Sequence, residues 1–170
     1  MANQFQKFMK VLKAFDKQKV DYVLIGGVAV ILYGGERLTR DVDIFVKMDA
    51  ENIKKLKKAL HSVFNDPSID EITLDELHNY PVIRYGTPNG FYIDIVTRLG
   101  KAVSYEDLEY EIIDYQGVKI RIGTPETLYD LKRNTVRQRD KMDAIFLKEL
   151  INQRKSDHSD EEKSIPEDKK

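Results

Sequence analysis

Apolar positions near the start of the chain fall on one helical stripe. Phe5, Met9, Leu12 and Phe15 recur three or four residues apart, which predicts an amphipathic helix over residues 3–18. "DYVLIGG" changes the rhythm to a short, wholly apolar run that stops at glycine and reads as a buried strand. "VAVILY", between Gly27 and Gly34, is too uniformly apolar for periodicity to settle. The glycine pairs around it and the loop that follows predict a short buried helix. Residues 41–47 read as a strand. Ile53, Leu56, Leu60 and Phe64 mark a third helix, with Lys54, Lys55, Lys57 and Lys58 on its solvated face.

Further along, "PVIRYG" and "FYIDIVTRL" flank "TPNG", whose proline, asparagine and glycine suit the turn of an antiparallel hairpin. "EIIDYQGVKIRI" predicts a second hairpin turning at Gln116-Gly117. "TPETLYDLK" opens a helix that Thr124 can cap, with Pro125 at the first helical position. The helical pattern runs to about Gln153, with a break expected near Asn134. From Arg154 the chain carries almost no apolar residues and a dense mixture of charges. It is therefore expected to be a mobile tail, since it cannot bury enough surface to offset its ordering entropy. Strands interleaved with helices, with hairpins in the middle, predict an α/β or α+β domain with a mixed sheet over residues 1–153.

Composition narrows what this domain can do. At 170 residues the chain can bury a real core as one domain, and 41% hydrophobic against 34% charged residues is the balance of a soluble globular protein. Neither a signal peptide nor a membrane-spanning stretch is recognisable, so the cytoplasm is the expected location. The chain has no cysteine, which excludes thiolate catalysis, disulfides and cysteine zinc sites. His61, His78 and His158 are scattered without metal-ligand spacing and read as surface or structural residues. A formal net charge of −1 gives no reason to expect long nucleic acid as the partner.

The candidate chemistry lies in "GGVAVILYGGERLTRDVDIFV", residues 26–46. Side chains alternate across a strand, so Asp41 and Asp43 share one face while Val42, Ile44 and Val46 share the other. In "FYIDIVT" the same parity puts Asp94 with Tyr92 and Val96, opposite Phe91, Ile93 and Ile95. Were the two strands neighbours, three carboxylates would converge and repel one another unless a cation held them. Oxygen-only donors suit Mg²⁺, whose coordination is commonly completed by substrate phosphates. Gly26 and Gly27, between strand and helix, would let a phosphate approach the backbone, and Arg37 and Arg40 offer counter-charge. A glycine-bounded anion site beside a carboxylate metal site is what a nucleoside triphosphate requires.

These residues resemble the signature of the DNA polymerase β-type nucleotidyltransferase superfamily: a glycine turn, an Asp-x-Asp strand and a third carboxylate on a later strand. More narrowly, "GGVAVILYGGERLTRDVDIFV" is similar to the small AbiEii-like and minimal nucleotidyltransferases, and the likeness extends through "TPETLYDLKRNTVRQRDKMDAIFLKEL". The resemblance implies a nucleotidyltransferase fold and an Mg²⁺- or Mn²⁺-dependent transfer of a nucleotide from a triphosphate, ATP being the usual example, to a hydroxyl acceptor, with release of pyrophosphate. It implies Asp41, Asp43 and Asp94 as metal ligands and catalytic residues, and Gly26 and Gly27 as the phosphate turn. Arg37, Thr39 and Lys132 would lie on the nucleotide side, with Asp140 and Asp143 as later helix aspartates. The chain departs from the superfamily in having Gly-Gly where Gly-Ser is commoner, so the serine hydroxyl that often touches phosphate is missing.

Plainer explanations compete at several of these positions. Asp94 could be an edge-strand aspartate paired with Arg84 or Arg98, and Lys132 a solvated helix lysine beside Arg133. Arg37 and Arg40 could pair with Asp41 or Glu36 at the surface, and Asp140 and Asp143 could pair with Arg137 or Arg139. The acceptor is open among a small molecule, an RNA end and a protein side chain. So short a chain leaves its C-terminal helices, a second subunit or a partner protein to supply the acceptor surface. The rival function is a catalytically silent nucleotide-binding or antitoxin-like interaction module on the same fold, in a toxin–antitoxin setting.

Overall fold

The computed structural model describes residues 2–133 and 137–163. The chain divides into two compact units, residues 1–123 and 124–170. The boundary falls inside the span that the sequence assigns to one domain.

The first unit opens with α1 (Ala2–Gln18), followed by β1 (Tyr22–Ile25), α2 (Gly26–Leu32), β2 (Asp41–Val46) and α3 (Ala50–Phe64). A 3₁₀ turn (Pro67–Glu71) and α4 (Leu74–Asn79) lead to β3 (Val82–Gly86) and β4 (Tyr92–Val96). A small ribbon of β5 (Arg98–Leu99) and β6 (Val103–Ser104) follows, and the hairpin of β7 (Tyr110–Tyr115) and β8 (Val118–Gly123) ends the unit. Six strands form one mixed sheet in the order β3-β4-β2-β1-β8-β7. β2 runs antiparallel to β1 and parallel to β4, and β1 runs parallel to β8.

One face of this sheet is the core. Tyr22, Leu24, Val42, Ile44, Ile93, Ile95, Ile120 and Ile122 are all buried there. α1 and α3 cover them with the apolar stripes read from the sequence. Phe8 of α1 and Phe64 of α3 both set their rings edge-on to Phe91, with centroids 5.0 and 5.9 Å away, and Phe15 packs on Tyr22 at 5.1 Å. Asn52, 1% exposed, is a polar residue in this core and is satisfied by the backbone. Its amide donates to Asp21 O (2.9 Å) and Lys47 O (2.8 Å) and accepts from Asp21 N (2.7 Å), which pins α3 to the ends of β1 and β2. The opposite face carries Asp41 and Asp43, with α2 beside them.

The predicted elements appear with small shifts in their ends. What periodicity does not reveal is the stretch between α3 and β3, because turns this short bury single residues such as Ile69 and Leu77 rather than a stripe.

The second unit holds α5 (Pro125–Lys132) and α6 (Gln138–Lys163). Thr124 caps α5 by accepting from Thr127 N at 3.2 Å, with Pro125 in the first turn. The break expected at Asn134 lies outside the described residues. The charged stretch from Arg154, expected to be a tail, continues α6 as far as Lys163. In a helix its acidic and basic residues fall three and four positions apart, within reach of one another. Among the described residues no helix is long and apolar enough to cross a membrane.

Candidate active site

β2 and β4 are neighbours, and their parallel register sets Asp43 opposite Asp94 and Asp41 opposite Tyr92. Partners in register point to the same side of a sheet, so Asp41, Asp43 and Asp94 share the face away from the α1/α3 core. Asp94 is 9% exposed, and the Asp41 side chain 27%. The glycine turn reaches the same place. Gly26 has φ +71°, and a Cβ there would lie 2.8 Å from Asp43 Cγ and 2.9 Å from Asp43 Cβ. Only glycine fits both that backbone and that contact. At Gly27 a Cβ would stand 3.0 Å from both Arg37 Cζ and Thr39 Oγ1. The seven-residue α2 begins here, and no side chain caps its start. Thr39 Oγ1 accepts from Asp41 N and donates to Asp41 O, each at 3.3 Å, so it holds the entry to β2.

Within the first unit, therefore, Gly26, Gly27, Arg37, Thr39, Asp41, Asp43 and Asp94 form one neighbourhood. Lys132 belongs to the second unit. It is 9% exposed rather than solvated, and its ammonium donates to Asp143 Oδ2 at 2.7 Å and Asp140 Oδ1 at 3.1 Å. Lys132 is thus a partner of both aspartates, one that the sequence reading, which offered Arg137 or Arg139, did not name. Lys132, eight and eleven residues before them, reaches both from the last turn of α5.

The residue that sequence reasoning undervalued is Arg84. In the antiparallel β3–β4 pair it stands opposite Asp94. Its guanidinium forks that carboxylate, Nε to Oδ1 at 2.9 Å and Nη2 to Oδ2 at 3.0 Å, and Nη2 also donates to Asp41 Oδ2 at 3.1 Å. Cζ stands 4.7 Å from the Tyr92 ring centroid. The hydrogen bonds from Arg84 to Asp94, and then the charges of Asp94, Asp41 and Asp43, hold its pKa above the ordinary arginine value. The pairing of Asp94 with Arg84, the plainer explanation, is thus present, and it coexists with the convergence of the three aspartates. The "TPNG" turn fixes the hairpin register, and that register is the signal by which sequence alone could have placed Arg84 across from Asp94.

The donor set fits a hard divalent cation in its chemistry: carboxylate oxygens only, on one face, beside a backbone stripped of side chains. As the side chains stand, the carboxyls of Asp41 and Asp94 are turned onto Arg84. Among the described residues no group of three or more His, Asp or Glu surrounds a common ion position. Next to Arg84, an open cleft of about 690 Å³ runs along the edge of β3, lined by Glu71, Thr73, Glu76 and Tyr85 among others.

Several solved structures share this fold. The lincosamide antibiotic adenylyltransferase LnuA, in its lincomycin-bound crystal structure, superposes with TM-score 0.54 at 19% identity, over 84% of this chain and 95% of that one. Nucleotidyltransferase TM1012 from Thermotoga maritima gives 0.54 at 16%, over 89% and 94%. ANT(2″)-Ia in complex with adenylyl-2″-tobramycin gives 0.52 at 13%, over 90% and 92%. No curated protein matches the chain in sequence. Residues 10–157 match the family of nucleotidyltransferase AbiEii toxins of type IV toxin–antitoxin systems, and the chain belongs to that family.

Proposed function

We propose that this protein is a divalent-metal-dependent nucleotidyltransferase that moves a nucleoside monophosphate from a triphosphate to a hydroxyl acceptor. The observation that carries the reading is the register that sets Asp43 beside Asp94, with Asp41 on the same face and Gly26 packed against Asp43. Asp41, Asp43 and Asp94 would hold Mg²⁺ or Mn²⁺, which supplies neutralisation of phosphate charge in the transition state. The missing side chains of Gly26 and Gly27 let Asp43, Thr39 and Arg37 pack close against the turn, so a phosphate bound there would meet the Arg37 counter-charge beside the carboxylates. Thr39 acts through the backbone of Asp41. In the transfer, the acceptor oxygen bonds to the α-phosphorus as the bond to the bridging oxygen breaks, and pyrophosphate leaves. Asp94, once released by Arg84, would take the hydroxyl proton. Lys132 uses two of its three ammonium donors on Asp140 and Asp143, which leaves one for a phosphate.

LnuA and ANT(2″)-Ia are described with antibiotics bound or adenylylated. That makes hydroxylated small molecules the first acceptor class to test here, followed by RNA ends and protein side chains. The open cleft beside Arg84 has the volume of a small-molecule pocket.

A second reading, a silent nucleotide-binding or antitoxin-like module, is favoured by one observation: Arg84 already satisfies two of the three carboxylates. Incubation with each labelled nucleoside triphosphate, Mg²⁺ or Mn²⁺ and the three acceptor classes separates the two. The enzyme reading expects metal-dependent pyrophosphate release, reduced at least about 100-fold by Asp43→Asn with folding unchanged. Full activity of that variant contradicts the metal assignment. Triphosphate binding without turnover on any acceptor supports the silent module.

A further inference from the structure

We propose that Arg84 is the resident countercharge of the carboxylate group, competing with the divalent cation for Asp41 and Asp94 and yielding to it when a triphosphate takes over the guanidinium. The proposal rests on the reading that these aspartates are cation ligands.

Three observations carry it. First, Arg84 engages both oxygens of Asp94 and one of Asp41, the atoms a cation would need. A divalent ion about 2.1 Å from those oxygens would stand against the guanidinium, and two positive centres cannot share them without strong repulsion. Second, the carboxylates need a positive partner at all times. Asp94 is nearly buried, and ionised acids this close are stable only when paired. Third, the arginine is free to leave without movement of the backbone. It sits on edge strand β3 with its side chain 53% exposed, is backed by the Tyr92 ring, and borders the open cleft.

A cation arriving alone must displace the guanidinium into water. A cation arriving with a triphosphate brings phosphate oxygens, which accept an arginine fork as well as a carboxylate does. Arg84 thereby makes the two ligands depend on one another, and linkage requires the dependence to be reciprocal. A merely structural ion pair would contribute to folding without affecting this coupling.

The test measures Mn²⁺ binding by electron paramagnetic resonance, with and without a non-hydrolysable triphosphate, for the natural protein, Arg84→Gln, Arg84→Lys and Asp43→Asn. Arg84→Gln should bind Mn²⁺ alone at least about tenfold more tightly, and the enhancement by triphosphate should shrink by a similar factor. Arg84→Lys should fall between, since lysine keeps the charge but loses the fork. If Arg84→Gln does not fold without metal, Arg84→Lys carries the comparison. Mn²⁺ affinity and coupling unchanged or weakened in both arginine variants, with the natural protein binding and Asp43→Asn failing to bind, overturns the role of Arg84 and leaves the metal reading intact. If the natural protein binds no Mn²⁺ with or without triphosphate, or Asp43→Asn binds as well as it does, the metal reading fails and the proposal with it.

Discussion

Gly26 joins backbone and site in one position, since its positive φ and its contact with Asp43 both forbid a side chain. Gly26→Ala should therefore cost about 2–4 kcal/mol, backbone strain and overpacking together. Gly34 is the control: its φ is +102° but nothing lies within 4 Å of a Cβ there, so Gly34→Ala should cost only about 1–2 kcal/mol. Urea denaturation of the two variants checks the difference, and equal losses would show that the Asp43 contact is not what excludes a side chain. The aspartates and glycines of this neighbourhood were legible in the sequence because period-2 parity and glycine punctuation are local properties. Arg84 was less so. Its importance comes from hairpin register across β3 and β4, which the alternation within either strand does not give and only the position of the "TPNG" turn between them does.

Helices and strands were read correctly where a stripe or an alternation ran long enough, as in α1, α3 and the hairpin of β7 and β8. Asn52 shows what such patterns miss. It lies in the buried stripe of α3 as a polar residue, and only the three-dimensional meeting of α3 with the ends of β1 and β2 explains it. Asn52→Ala leaves the Asp21 N–H without its acceptor, while the Asp21 and Lys47 carbonyls keep the backbone donors Lys47 N and Asp49 N, and should destabilise the protein by about 1–3 kcal/mol in chemical denaturation. A loss below about 0.5 kcal/mol would mean that water replaces the side chain at little cost. In the second unit, Lys132 bridges α5 to two aspartates of α6 with its side chain only 10% exposed. Lys132→Met should cost about 2–4 kcal/mol by removing the buried cation between those carboxylates, and adding Asp143→Leu should recover part of the loss. Failure of the second substitution to recover anything would argue against a charge-based origin.

The molecule as a whole combines a six-stranded mixed sheet, a carboxylate face beside a glycine turn, and a separate pair of helices. Family and fold were recognisable from residues 26–46 together with Asp94, because the nucleotidyltransferase signature is compact. Division into two units was not, since it depends on how contacts distribute through space rather than on composition. The acceptor was not legible either: the cleft proposed for it beside β3 is lined in part by short turns without periodicity. The most direct test is a crystal structure of the protein with Mn²⁺ and a non-hydrolysable nucleoside triphosphate. Anomalous scattering should place manganese about 2.1 Å from carboxylate oxygens of Asp41 and Asp43, with Asp94 at the same cluster and phosphate oxygens facing Gly26 and Gly27. Manganese bound elsewhere, or a triphosphate held away from the glycine turn while Arg84 keeps its fork on Asp94, would contradict the assignment of this face as the active site.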